Sequence, residues 1–413
     1  MKNNSLVPLP RLSVISALCT VILTIAWANS ALAQQWRSEP VFKVGGEYDD
    51  NAELDPRTDE EVDETGFLLD ARAGINYASP STSFFVQPRV LIRKYNDDSV
   101  DDSNDYFLRS NFRRQGKLNT FGFLANFDHQ SVRTGERSDS DLEIEDPDEI
   151  TDDGSGRTLA KGDRSKWRFA PYWQYQFSQL SSIRADIDYF DTQYDDVFAG
   201  RLFDYSDTRL NLTYQRSLSN VTTGLISLTG RRYDSDELID DIDGYGIRAG
   251  IEHALSQKTR FTAAIGVENT DQPDTGSDSD VVGSATLTHN LETIRLWARY
   301  QRSINASGSG IVSVRDSFNL GFRRRLSEKL SAGLGVYAYK QGETIDDPSS
   351  FEDTDDDYVQ LQSRFVWYLS RSFVIEADYR YTILDRGEDF GGRANSNRLN
   401  LWFIYQPKTI PKL

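Results

Sequence analysis

Cysteine is almost missing from this chain of 413 residues: there is one, Cys19, alongside one Met and three His. Cys19 lies inside an apolar stretch near the N-terminus that reads as a removable leader. The remainder would then hold no disulfide and no thiolate nucleophile. Histidine is equally sparse. His129, His253 and His289 each fall at the end of an alternating run, where an interfacial side chain is the expected use. There is no H-E-x-x-H, no Ser-His-Asp spacing, no phosphate-binding loop and no dinucleotide fingerprint. These absences point away from an enzyme, a resident metal or a cofactor. Positive charge is in deficit, with 46 Lys and Arg against 64 Asp and Glu. A net charge of −18 and a pI of 4.7 argue against nucleic acid as a partner.

Long apolar runs are also lacking. Only the N-terminus has one, so helices that cross a bilayer are not expected elsewhere. Lys2 and Arg11 precede the apolar core Leu12–Trp27, and Ala31-Leu32-Ala33 is an A-x-A cleavage site. Residues 1–33 therefore read as a secretory signal peptide, with the mature chain beginning at Gln34 and forming one domain, 34–413. A mean hydropathy of −0.56 is what a soluble acidic protein would show. A transmembrane β-barrel can show it too, because only every second side chain of its strands meets lipid.

From about Ser38 onward the chain repeats alternating runs of about ten residues. Trp167, Phe169, Pro171, Trp173, Tyr175 and Phe177 form one face of a run, and Arg168, Ala170, Tyr172, Gln174 and Gln176 form the other. Strand side chains alternate between faces, whereas a helix would scatter those aromatics, and Pro171 would break it. The same split separates Phe67, Leu69, Ala71, Ala73 and Ile75 from Asp70, Arg72 and Asn76. It recurs in Ile183–Tyr189, Phe373–Tyr381 and Leu399–Gln406. Val221–Arg232 and Val281–Thr288 alternate less cleanly.

Short turns share a signature: Leu180-Ser181, Leu218-Ser219, Leu255-Ser256, Leu326-Ser327 and Leu369-Ser370, with His289-Asn290-Leu291-Glu292 in the same place. Ser79–Thr82 and Gln115–Leu118 are the earlier ones. A period of about 40 also suits a propeller blade, but a blade needs four short strands, and here two longer runs of ~9–11 residues fill each repeat. The other connections are long and mostly acidic: Asp49–Thr65, Asn96–Asn104, Ser131–Ser165, Asp195–Asp204, Asp234–Asp243, Asn269–Asp280, Ser303–Ile311, Lys340–Asp356 and Thr382–Asn395. Alternation of long and short connections predicts an all-β fold, a closed antiparallel transmembrane barrel of about 18 strands with short periplasmic turns and long extracellular loops. Aromatics near the run ends suit a membrane-interface belt: Tyr77, Phe84, Tyr95, Tyr106, Trp167, Phe177, Tyr189, Tyr300, Trp367, Phe373, Tyr381 and Tyr405. A soluble sandwich or solenoid would bury its apolar faces against each other instead.

The barrel reading puts the ionisable set on the water side. It comprises Arg72, Arg89, Arg93, Arg109, Arg113, Arg168, Arg184, Arg209, Arg248, Arg260, Arg295, Arg299, Arg323, Arg364, Arg380 and Arg398. With them are Asp70, Asp128, Asp186, Asp188, Glu252, Glu268, Glu376 and Asp378. Arginine facing lipid at mid-membrane would cost about 2–4 kcal/mol, so these side chains should meet water or one another. They are candidate pore-lining residues, or a wall of ion pairs that stiffens the barrel. Two acidic loops, Asp139–Asp153 and Glu352–Asp357, suit cation binding or anion repulsion at a mouth, or simple solvation, and neither carries the calcium-loop pattern.

Val44-Gly45-Gly46-Glu47-Tyr48-Asp49-Asp50-Asn51 resembles the opening strand of the β-barrel porin 2 family of outer-membrane proteins, which accompany exopolysaccharide loci. Arg324-Arg325-Leu326-Ser327-Glu328-Lys329 and Trp367-Tyr368-Leu369-Ser370-Arg371 are similar to its periplasmic turns. The likeness covers nearly the whole mature chain in layout, through short motifs. It implies a Gram-negative outer-membrane channel that serves polymer export. The implied partners are membrane lipid and lipopolysaccharide, a hydrophilic solute such as a polysaccharide, and the barrel-assembly machinery. Many such barrels end on an aromatic residue. Here Pro407–Leu413 follows the last run, which leaves the internal Leu401–Tyr405 as the assembly signal. The competing expectation is a non-conducting structural or interaction barrel whose acidic loops bind a partner or cations.

Overall fold

A computed structural model describes residues 36–57, 63–96, 101–137, 161–198, 202–236, 241–272, 276–308, 312–343, 356–386 and 392–407. The signal segment, Asp139–Asp153 and Glu352–Asp355 lie outside the described residues. The chain forms β1 (Trp36–Asp49), β2 (Glu64–Ala78), β3 (Thr82–Tyr95), β4 (Ser103–Gln115), β5 (Asn119–Ser131), a short helix α1 (Val132–Gly135), β6 (Lys161–Gln176), β7 (Ser181–Phe198), β8 (Tyr205–Ser217) and β9 (Thr222–Ser235). There follow β10 (Ile242–Ser256), β11 (Thr259–Gln272), β12 (Gly276–Asn290), β13 (Ile294–Ala306), β14 (Val312–Arg325), β15 (Leu330–Glu343), β16 (Asp356–Tyr368), β17 (Phe373–Asp385) and β18 (Arg393–Tyr405). Each strand pairs antiparallel with its neighbours in sequence, and β18 returns to β1, so the 18-stranded sheet closes. Closure leaves no unpaired edge for lipid to meet.

Register fixes the two faces. Across the seam Glu47 pairs with Asn400 and Asp49 with Arg398, all inward. Followed round the ring, every strand keeps its polar phase inside. Outside, Phe67, Trp167, Phe169, Ile247, Ile265 and Leu401 stand open at roughly half or more of their full area. So much apolar surface on a closed cylinder is stable only against hydrocarbon. The chain is a bacterial outer-membrane barrel.

The repeated Leu-Ser turns have a local cause. Leu218, Leu255, Leu326 and Leu369 keep the outward phase at a strand end and extend the lipid-facing surface to the rim. The next Ser turns the chain: its Oγ accepts from the backbone N–H two residues on, as Ser219 does from Val221, Ser256 from Lys258 and Ser327 from Lys329. Rings also cluster outside at this end, with Trp36–Tyr77 centroids at 4.9 Å and Phe373–Tyr405 at 5.2 Å.

Three expectations change. The strands have 13 to 18 residues, more than a bilayer crossing needs. Asn269–Asp280 is mostly strand, with β11 reaching Gln272 and β12 starting at Gly276. The alternation continues there in small polar residues, whose faces composition does not distinguish. Tyr95 is not in the lipid belt. It faces inward, with its hydroxyl 3.3 Å from Glu47 Oε1 and its ring under the Arg133 guanidinium.

Candidate functional site

The register of the ring places all sixteen arginines and eight carboxylates of the sequence-derived set on the inner face. Each of the eight carboxylates meets a basic side chain. Asp70 accepts from Arg89 at 2.9 Å, Asp186 from Arg184 at 3.1 Å, Asp188 from Arg168 at 2.6 Å, and Asp378 from Arg380 at 2.8 Å. Glu252 lies 3.4 Å from Arg260, Glu268 2.8 Å from Arg248, and Glu376 2.5 Å from Arg364. Asp128 pairs at 3.1 Å with Arg164.

Arg164 was not among the expected residues, and it is one of several that sequence reasoning passed over. Arg93 pairs with Asp105. Arg209 and Arg231 share Asp207 at 2.9 and 2.7 Å. Asp49, read as the start of a loop, ends β1 and receives Arg398 at 3.0 Å. Asp49, Asp105, Arg164 and Asp207 lie at strand ends toward the long loops, and Arg231 lies in the less cleanly alternating run Val221–Arg232. Extending the alternation through Asp207-Arg209-Asn211 would have found Asp207.

Three segments from the long-loop side turn into the lumen. In the first, Glu136 and Arg137 are adjacent in sequence yet bond parts of the wall about a third of the ring apart. Glu136 accepts from Arg164 on β6 at 3.0 Å and from the Tyr194 hydroxyl on β7 at 2.8 Å. Arg137 donates to Asp49 on β1 at 3.0 Å and to Ser396 on β18 at 2.9 Å. Arg133, on α1, reaches Glu64 on β2. The stretch Val132–Arg137 is thus a chord across the bore.

The second is the tip of the β13–β14 hairpin. Pairing of β12 with β13 stops at Gly283–Arg302, while β13 and β14 stay together to Ala306–Val312. The freed tip leans inward. Its Ile304 carbonyl accepts from Arg231 at 3.0 Å and from Arg209 at 3.3 Å, and the Ser307 carbonyl accepts from the Tyr233 hydroxyl at 3.0 Å. Ile304, Ala306 and Val312 pack there with Phe190, Tyr205 and Tyr233.

In the third, Leu54 is buried with Tyr337, Tyr339, Tyr358 and Leu384. Its φ of 53° is a left-handed conformation that a leucine adopts at a cost, offset by this packing. Nearby, Arg57 hydrogen-bonds Asp55 at 2.8 Å and holds its carboxyl below the usual aspartate range.

The three histidines sit on the outer face. His253 Nδ1 is 2.8 Å from Thr222 Oγ1, His289 Nδ1 is 2.8 Å from Thr259 Oγ1, and His129 Nδ1 is 2.9 Å from Ser165 Oγ. Among the described residues no group of three or more His, Cys, Asp or Glu is placed to hold a metal.

No protein-family model matches the chain, and no curated protein matches it. Solved structures with a similar overall layout include OccAB4 of Acinetobacter baumannii (11% identity, 91% of this chain and 100% of that one, TM-score 0.48). OpdO of Pseudomonas aeruginosa is at 12% identity, covering 90% of this chain and 98% of that one, TM-score 0.46. The siderophore receptor PirA of the same organism is at 11%, covering 89% and 80%, TM-score 0.42. These are distant likenesses, and no solute is carried over from them.

Proposed function

We propose that this barrel is a channel that passes a hydrophilic solute across the outer membrane, and that the sixteen inward arginines and eight inward carboxylates line its path. The observation that carries the reading is the consistent segregation of ionisable side chains to the inner face of a closed sheet. The bore is narrowed on the extracellular side by the Val132–Arg137 chord and the β13–β14 tip. Selectivity then comes from charge on the wall, without covalent chemistry. Through the resemblance to the β-barrel porin 2 family, the solute is an exopolysaccharide on its way out. Lipid and lipopolysaccharide surround the wall, the assembly machinery inserts the chain, and residues 1–33 are removed on export.

Purified barrel in a planar bilayer should give discrete ion-conducting steps; a folded barrel that never conducts would sink the channel. Deleting the gene in its host should leave polymer trapped in the periplasm if export is its task. Sequencing the mature N-terminus should return Gln34.

A second reading is favoured by the pairing of all eight expected carboxylates and by the chord itself: a stiff, non-conducting barrel that acts through its outer loops. Loop deletion would then abolish its role while conductance stays absent from the start.

A further inference from the structure

Pairing of β12 with β13 ends at Gly283–Arg302, yet both strands go on. β12 extends back to Gly276 paired with β11, and β13 extends to Ala306 paired with β14. Between them the sheet splits at its extracellular end, leaving two strand edges without cross-strand partners among the described residues. Such a row of backbone donors and acceptors is a template for another strand. Arg302 sits at the foot of the cleft, where its Nε donates to the Val281 carbonyl at 3.0 Å and its guanidinium pairs with Asp316. The outward residues of β12 above Val281 are Ser279 and Ser277, so the cleft lies at and beyond the outer edge of the apolar surface.

The alternation of the β13–β14 hairpin does not match where its tip lies. Ile304, Ala306, Val312 and Val314 hold the outward phase, while Ser303, Asn305 and Ser313 hold the inward one. That is the pattern of a wall strand with its apolar side out. Ile304, Ala306 and Val312 nevertheless pack inside the bore, with Val282 of β12 beneath them. Continuing the β12–β13 register sets Ser303 opposite Val282, Ile304 opposite Val281, Asn305 opposite Asp280 and Ala306 opposite Ser279. Ile304 would then join Val281 and Val267, which already stand exposed on the outer face. The tip thus has two places to rest, the cluster in the bore or the open edge of β12.

Leaving the bore strands no charge. The tip is held through backbone carbonyls: Ile304 accepts from Arg231 and Arg209, Ser307 from Tyr233, and Gly308 from the Phe203 N–H at 2.8 Å. Arg209 and Arg231 both keep Asp207 when the tip departs, which avoids the large cost of an unpaired buried ion. Ladder bonds to β12 would replace the carbonyl bonds that are lost. Two discrete packings that satisfy the same backbone make a bistable element.

We propose that the β13–β14 tip is a gate: folded inward it narrows the bore, and swung outward it zips onto the open edge of β12, completing the wall and clearing the lumen. This deepens the channel reading and rests on it for the effect on flow, but not for the movement of the hairpin.

The test is disulfide trapping in the folded full-length barrel. Cys19 is the chain's single cysteine, so a Cys19→Ser background is free of other thiols. Two double variants place cysteines opposite each other in the continued register, Val281→Cys/Ile304→Cys and Asp280→Cys/Asn305→Cys. Whichever forms the non-hydrogen-bonded pair brings its Cα atoms to about 4.5 Å, within disulfide range. Val281→Cys/Asn305→Cys puts the thiols on opposite faces and is the control. Heat-modifiable gel mobility of the reduced proteins checks that each is folded, and either in-register pair alone suffices. Mild oxidation should cross-link an in-register pair and leave the control unlinked. In planar bilayers the reduced protein should switch between two conductance levels. The oxidised in-register variant should lose the lower level, and reductant should restore it. Failure of both in-register pairs to cross-link, equally fast cross-linking of the control, or a cross-linked barrel that conducts at both levels overturns the gate. In-register cross-linking in a barrel that never conducts overturns the channel and leaves the hairpin movement standing; a barrel that conducts but never cross-links does the reverse.

Discussion

Single side chains on this wall act by where their charges end up. Arg137 is buried between Asp49 and Ser396. Replacing it with alanine removes one cation from Asp49 but leaves Arg398 at 3.0 Å. Breaking a buried pair costs about 3–5 kcal/mol, and the retained Arg398 points to the low end. Arg137→Ala should therefore lower unfolding stability in detergent by about 3 kcal/mol, and it should raise single-channel conductance because the chord loses its anchor. Unchanged conductance would mean that the chord does not limit flow. Asp55 gives a pH dependence. Its carboxyl is held below the ordinary aspartate range by Arg57. The contribution is present above the unfolded pKa and is lost as pH falls through the lower folded value. Amide protection factors across Asn51–Arg57, taken relative to the intrinsic exchange rate at each pH, should fall below about pH 4, and Asp55→Asn should remove that dependence.

Elements carry the alternation, and here the sequence was most legible. The two faces of Trp167–Phe177 could be read without coordinates, because a period of two needs only local order. The Leu-Ser turns were equally visible, although their cause is a lipid-phase Leu followed by a turn-forming Ser. What stayed hidden depends on contacts distant in sequence: the chord of Val132–Arg137, the inward lean of Ile304–Gly308, and the place of Tyr95. Ile304 shows why. It keeps the outward phase of β13, yet it packs inside because β12 releases the hairpin tip. No local pattern encodes that release. The lipid band itself can be tested along β8. Leu212 and Leu218 share the outward phase, one mid-strand and one at the rim. Leu212→Arg should cost about 2–4 kcal/mol in a folding titration into vesicles, and Leu218→Arg about 0–1. Equal costs would put the hydrocarbon band elsewhere.

For the molecule as a whole, the two ends of the bore differ in kind. Toward the long loops, inward segments fill space; toward the short turns, the inner faces of β13 and β14 carry Arg295, Arg299, Arg323 and Arg325. The chain is strongly acidic overall, so the sign of its selectivity is not set by net charge if the wall controls it. A wall potential acts over a Debye length, about 10 Å in 0.1 M salt and about 3 Å in 1 M. Reversal potentials across a salt gradient should therefore show anion preference near 0.1 M that fades toward 1 M. Arg295→Gln/Arg323→Gln should flatten that dependence, while Arg324→Gln on the lipid side of β14 should leave it intact. Cation preference at low salt would instead assign control to the acidic outer loops, and the arginine wall would then have no part in choosing what passes.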